Sequence, residues 1–482
     1  MDRKHGRIIV WMRRALRVQD NAPLWNAMQD GREVIPLVCL SDDPAYLAET
    51  PRRVFFRNAL RALDHELRER SSKLTVRVGT AAREIPAAAY EYGADAVYAA
   101  RVYDPAALHR DTTLSTSLMK IGVEWETFQD SLLFERTDIV SGTGMPYRVY
   151  TPYLRSWRDR WDDAPRPIPR VRTVASPDIR GSEPGAFRWF AAADASGGER
   201  AAQRRLTTFL KNSIHAYRGN RDLPGVDGTS RLSADLAHGT LSIRTLYWAA
   251  REAREEADRK GRESIESFIN ELVWREFYYQ IFSNFPFAAD GAFREEFRTI
   301  NWRENRGHFD AWCAGRTGYP IVDAAMRQLH REGWMHNRAR MIVASFLTKD
   351  LHISWQRGER YFLEHLVDAD IASNNGGWQW TAGTGTDASP YFRIFNPVLQ
   401  GKKFDPEGTY IRRYVPELAR VPQRMIHEPW RLDLDGQRSA GCLIGKQYPA
   451  PMVDHTAERE VALRLYRSPL STRVRDPKSG GR

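Results

Sequence analysis

Four stretches of this 482-residue chain concentrate side chains that could do chemistry. Residues 217–233, YRGNRDLPGVDGTSRLS, set a hydroxyl-rich TSRLS after a glycine turn. Hydroxyls and backbone N–H groups at a helix start suit a diphosphate, although an ordinary capped helix accounts for the same pattern. Residues 271–276, ELVWRE, expose an acid, an indole and an arginine. Residues 334–341, WMHNRARM, combine a ring, an amide, two arginines and a thioether. Residues 368–380, DADIASNNGGWQW, hold two acids, two adjacent amides, a GG turn and two rings. So many polar groups among large aromatics make poor core material, because each buried polar group needs a partner. Seven of the 15 tryptophans lie between 274 and 380. They read either as a packed helical core or as stacking platforms and an electron relay.

Several chemistries are excluded. There is no GxxxxGK[ST] phosphate loop, no HExxH and no CxxC, so no metal site is expected. Residues 383–388, GTGTDA, loosely resemble a dinucleotide fingerprint, but no strand precedes them. Lys and Arg number 72 against 61 Asp and Glu, and the net charge of +11 favours a polyanionic partner. Three cysteines exclude a disulfide framework and suit a reducing cytoplasm. With no run of 18 apolar residues and no signal-peptide core in MDRKHGRIIVWMRR, a cytoplasmic protein without a membrane span is expected.

These stretches need elements to position them. Over residues 1–130, the runs RIIVWM (7–12), VIPLVCL (34–40), LTVRVG (74–79), AVYAARV (96–102) and VEWETF (123–128) read as strands. Helical patterns fall between them at 53–70, 81–92 and 105–121, predicting an α/β domain with a five-stranded, doubly wound parallel sheet. Residues 131–204, rich in proline, glycine and charge, read as a long surface connector without periodicity. From 205 to 463 the pattern is all-α. Between Ser264 and Phe285, Ile265, Phe268, Ile269 and Leu272 share one helix face, and Glu271, Trp274, Arg275 and Tyr278 share another. Pro320 opens a helix that Gly333 closes, and a further helix is predicted from Asn337 through Leu351. Residues 464–482 carry six Lys and Arg against one acid and read as a disordered basic tail.

The motifs RRALR, QDN, TSRLS, ELVWREFY, TGYPIVDAAMRQL, GWMHNRARM, ASNNGGWQW and YFRIFNP resemble the photolyase/cryptochrome family from end to end. The chain is most similar to its bacterial branch acting on cyclobutane pyrimidine dimers. The resemblance implies an N-terminal α/β antenna domain, a linker and an all-α C-terminal domain holding FAD. It also implies light-driven electron transfer from reduced flavin to a dimer flipped out of UV-damaged DNA. Tyr217 and Thr229, Ser230, Arg231, Leu232 and Ser233 match positions that grip the FAD phosphates, and Phe268 matches a cofactor contact. Asp368, Ala369 and Asp370 match the segment near the isoalloxazine and ribityl groups, with Arg340 paired to Asp368. Asn374 falls where the family presents a side chain to flavin N5.

On the lesion side, Glu271 matches a carboxyl that hydrogen-bonds the pyrimidine pair, and Trp274 and Trp380 match indoles packed around it. Asn337 and Met341 complete that wall, and Arg221, Arg275, Arg338 and Gln400 match a rim that contacts DNA. Trp378, Trp355 and Trp302 match a relay from flavin to surface. The antenna domain departs from the pattern: Ala15 replaces an acid, Ala106 and Ala107 stand near a folate contact, and no Cys–Lys pair occurs at 288–290. A methenyltetrahydrofolate seated differently, an 8-hydroxy-deazaflavin or an empty antenna site all remain open. The expected protein is a monomeric repair lyase of the bacterial cytoplasm and nucleoid. Its rivals are a cryptochrome-type blue-light photoreceptor and a non-photochemical nucleic-acid-binding protein that uses its tryptophans only for stacking.

Overall fold

A computed structural model describes residues 3–42, 49–179 and 197–473. The apolar runs near the start form β1 (His5–Trp11), β2 (Gly31–Leu40), β3 (Thr75–Val78), β4 (Ala96–Ala100) and β5 (Glu124–Phe128). All pair in parallel, in the order β3-β2-β1-β4-β5. Between them run α1 (Ala22–Asp30), α2 (Pro51–Arg68), α3 (Ala81–Tyr92) and α4 (Pro105–Met119). Alternation along β1 divides the core: Ile8 and Val10 pack with Leu24, Leu60 and Leu63, whereas Ile9 and Trp11 pack with Ile85, Ala88 and Leu114. Both faces are therefore covered, as a parallel sheet requires. Helix α1 escaped the sequence reading. Its available signal was local: Asn21 accepts the Leu24 N–H at 3.0 Å, and Pro23 lies in the first turn.

The remaining helices are α5 (Tyr150–Asp159), α6 (Gly198–Asn212), α7 (Tyr217–Asn220), α8 (Ser233–His238), α9 (Ile243–Glu256) and α10 (Arg259–Asn284). They continue as α11 (Arg306–Cys313), α12 (Pro320–Glu332), α13 (Asn337–Ser345), α14 (Trp355–His365) and α15 (Ile371–Ala382). Then follow α16 (Pro397–Phe404), α17 (Thr409–Tyr414), α18 (Leu434–Ser439) and α19 (His455–Arg473). The helix expected from Asn337 through Leu351 widens into a π turn at Phe346–Asp350. The chain divides into two compact units. One comprises Met1–Arg218 with Thr229–Pro286; the other comprises Gly219–Gly228 with Phe287–Arg482.

Two segments differ from their sequence reading. The stretch 131–204 is not an aperiodic connector throughout: α5 lies inside it and α6 begins at Gly198. Tyr150, Tyr153 and Trp157 recur at helical spacing and are buried, with Tyr153 5.3 Å from the Phe277 ring of α10. Flanking proline and charge conceal that apolar stripe. Residues 180–196 of the expected connector lie outside the described residues. The expected tail also differs, because α19 runs through 464–473. Tyr466 is fully buried, stacks on Tyr391 at 6.0 Å and meets Trp302 edge-on at 6.0 Å, so packing overrides the basic composition there. The rest of that tail, 474–482, lies outside the described residues. Among the described residues no helix is long and apolar enough to cross a membrane, and no His/Cys/Asp/Glu group could hold a metal ion.

Candidate functional site

In the first unit the candidate residues gather on α10, at Tyr217 and on the segment 229–233. Asp258 caps α10 by accepting the Gly261 N–H at 2.7 Å. Ile265, Phe268, Ile269 and Leu272 are buried, while Glu271, Trp274, Arg275 and Tyr278 are each half-buried. One helix thus carries a core stripe and a partly open polar–aromatic stripe, as its sequence spacing implies. Tyr150 of α5 stacks on Trp274 with ring centroids 3.5 Å apart and planes 9° from parallel, so one indole face is already covered. No motif announced Tyr150; its signal was the Tyr150, Tyr153, Trp157 spacing. Arg275 donates to the Ser131 carbonyl at 2.6 Å and lies 4.8 Å from the Tyr279 ring centroid. Glu276, the next acid along, is fully enclosed: its carboxylate accepts from the Trp157 indole at 2.7 Å and from the Leu133 amide. Burial pushes its pKa up to about 7.

Tyr217 is buried and meets Phe268 edge-on at 5.3 Å. The hydroxyl run that follows is shaped by Arg231, whose φ of 51° is unusual for a non-glycine residue. That turn buries Leu232 and leaves Thr229 and Ser230 half-buried and Ser233 exposed at the start of α8.

In the second unit the sites lie on α13 and α15. Arg340 donates to Asp368 Oδ2 at 2.8 Å and to the Met335 carbonyl at 2.8 Å. Asp368 Oδ1 is buried and has no hydrogen-bond partner among the described residues. A buried acceptor so placed fits a flavin ring bearing N–H groups. Asp370 caps α15, accepting the Ser373 N–H at 2.9 Å, and Ala369 packs against the helical core. The two adjacent amides take different roles. Asn375 is buried and donates to the Glu359 carboxylate at 2.9 Å, whereas Asn374 is half-buried and donates to the Glu359 carbonyl at 3.0 Å. Glu359 had no motif to announce it; burial pushes its pKa up to about 7.

Of the expected wall, Met341 and Trp380 are half-buried and Asn337 is exposed at the start of α13. Arg338 is engaged within its own unit, donating to Asp222 at 2.7 Å and lying 4.3 Å from the Phe404 ring centroid. Arg221 and Gln400 are half-buried, and Gln400 Oε1 has no hydrogen-bond partner among the described residues. Of the expected relay, Trp355 and Trp378 are buried at the start of α14 and within α15, and Trp302 is half-buried. Gly358 lets α15 approach α14: a Cβ there would stand 2.1 Å from the Trp378 ring.

Two family models match the chain, one described as DNA photolyase over residues 8–172 and one as the FAD binding domain of DNA photolyase over 268–468. The chain is 39% identical over 477 residues to a deoxyribodipyrimidine photo-lyase of Agrobacterium fabrum, covering 97% of this chain and 98% of that one. It is 40% identical to the enzyme of that name from Halobacterium salinarum, covering 95% and 98%. Among solved structures, a bacterial class III photolyase from Agrobacterium tumefaciens superposes with a TM-score of 0.90 at 37% identity, covering 98% and 99%. A cryptochrome from Synechocystis superposes at 0.86 with 29% identity, covering 96% and 100%.

Proposed function

The chain belongs to the DNA photolyase family, whose FAD-binding domain it contains, and we propose that it splits cyclobutane pyrimidine dimers in UV-damaged DNA. The observation that carries this reading is the open stripe of α10, where Glu271 and Trp274 lie half-buried beside core positions. A flipped dinucleotide wants an apolar platform and a few edge-reading polar groups. Trp274 supplies the platform, stiffened from behind by Tyr150, and Glu271 supplies an acceptor for a base N–H. Met341, Trp380 and Asn337 are assigned to the same substrate.

Asp368 and Arg340 would hold FAD by its ring, with Asp370 and Asn374 as further polar contacts and Tyr217, Phe268 and Thr229–Ser233 toward its phosphate end. When bound and reduced, that group supplies the light-driven electron. Arg340 fixes the Asp368 carboxylate, so that Oδ1 is presented to a donor without reorganisation. Trp378, Trp355 and Trp302 are assigned to resupplying electrons. The protein is proposed to act as a monomer in the bacterial cytoplasm.

The test is anaerobic illumination of the reduced holoprotein with a dimer-containing oligonucleotide, following recovery of pyrimidine absorbance. Glu271→Ala should lower repair while flavin content stays at the wild-type level. The lost hydrogen bond to a desolvated substrate is worth about 1–3 kcal/mol. Undiminished repair would remove Glu271 from the site. No repair by the wild type would favour the photoreceptor reading.

A further inference from the structure

Trp312 is a tryptophan that no motif above uses, and it is fully buried. Its ring meets Trp378 edge-on at 6.3 Å and Tyr361 at 5.7 Å. The Tyr361 hydroxyl stands 2.5 Å from His330 Nε2. We propose that Trp312, Tyr361 and His330 form a second exit for oxidising equivalents from Trp378, ending in a redox-active tyrosine with its own proton acceptor. This rests on the relay reading of Trp378.

The direction follows from hydrogen bonding. Among the described residues Trp378 Nε1 is buried without a partner, whereas Trp312 Nε1 donates to the Val343 carbonyl at 3.1 Å. A carbonyl dipole on the indole N–H stabilises a positive charge on the ring, so a hole is better held on Trp312 than on Trp378. Tyr361 follows, its ring crossing that of Trp312 at 63°. An oxidised phenol is a strong acid, and it loses its proton wherever a base is already hydrogen-bonded to it.

His330 is such a base. Burial and the neighbouring His365 lower its pKa, which favours the neutral ring, and in the tautomer with the proton on Nδ1 the Nε2 accepts from Tyr361. His330 is also exposed, so the proton can pass to water.

The step balances. Trp378 would give one electron to the photo-excited oxidised flavin that the FAD-binding domain would hold, which is the oxidant. One electron from Tyr361 then refills Trp378 by way of Trp312, and the Tyr361 Oη proton moves to His330 Nε2. The products are closed-shell Trp378, a neutral Tyr361 phenoxyl radical, protonated His330 and a flavin carrying the one added electron, with total charge unchanged. A thiol in solution returns the electron, and His330 returns the proton.

The experiment is flash illumination of holoprotein with oxidised flavin in a Trp302→Phe background. Radicals are read by electron paramagnetic resonance and by a nitroso spin trap located by peptide mass spectrometry. We expect photoreduction to fall at least tenfold from wild type, with a residual carried by a tyrosyl radical trapped on Tyr361. Adding Tyr361→Phe or Trp312→Phe should abolish that signal. Adding His330→Gln, a surface change that keeps the hydrogen bond but not the base, should lower its yield at least tenfold. A tyrosyl signal that survives Tyr361→Phe overturns the proposal. So does a tryptophanyl signal with no tyrosyl signal, which leaves the relay standing. No radical on any aromatic side chain overturns both the branch and the relay.

Discussion

Two arginine–carboxylate clusters built on buried carboxyl groups, one in each compact unit, use the same residue types and finish differently. Asp130, after β5, is saturated. Arg17 reaches both its oxygens at 2.7 and 2.8 Å, and Arg244 and the Ala22 N–H add contacts at 3.0 and 3.2 Å to Oδ1. Burial pushes the Asp130 pKa up, but Arg17 and Arg244 outweigh it and hold the carboxyl below its usual range. Asp368 is served at one oxygen by Arg340 and left bare at the other. An unmet buried acceptor costs about 1–3 kcal/mol, which the donor of a bound ligand offsets. A filled cluster marks scaffold, and a half-filled one marks a place for something else to bind.

Breaking each cluster should separate the two roles. Asp130→Ala strands two buried guanidiniums and should destabilise the protein by about 3–5 kcal/mol in chemical denaturation. Asp368→Ala should change stability by less than about 1 kcal/mol, because the Arg340 side chain is 26% exposed and can turn to water. Its flavin content should instead fall about tenfold, read from absorbance per protein. Equal stability losses in the two variants would erase the distinction.

The same contrast separates lesion reading from charge. Trp274→Ala should remove the preference for damaged over undamaged duplex, a change of about 1–3 kcal/mol in binding, while leaving the salt dependence intact. Arg221→Ala should weaken both duplexes alike and flatten the slope of log affinity against log salt by about 0.9. The basic terminus is the rival source of that slope. Its truncation belongs after Arg473, because Tyr466 is core. Loss of the slope on truncation, with none in Arg221→Ala, would remove Arg221 from the rim.

A pH titration sharpens the comparison further. Asp130, with its folded pKa depressed, contributes stability above its unfolded value that is lost as pH falls through the folded one. Glu359 has the opposite sign. Its pKa is raised to about 7, so its contribution is complete below the unfolded value and is lost as pH rises through about 7. Glu359→Gln keeps an acceptor for Asn375 and should raise stability at pH about 8 by on the order of 1–3 kcal/mol, with no gain at pH about 4. A gain at both pH values would mean that packing, not charge, limits that position.

Local pattern was enough for much of this molecule. The β-branched runs specify the parallel sheet, because strand and helix periods are written into adjacent residues. The spacing of Ile265, Phe268, Ile269 and Leu272 against Glu271, Trp274, Arg275 and Tyr278 separates the two stripes of α10 before any packing is known. What sequence could not carry is which of two identical neighbours does which job. Asn374 and Asn375 are interchangeable as letters; α14 distinguishes them, taking Asn375 into the Glu359 carboxylate. Arg338 and Arg340 stand two residues apart in one motif, yet one pairs with Asp222 and the other with Asp368. Tyr150 stacks on Trp274, and Trp312 bridges Trp378 and Tyr361, across separations no local period spans. A residue's type limits what it can donate, accept or stack upon, and only the approach of distant segments decides which partner satisfies it.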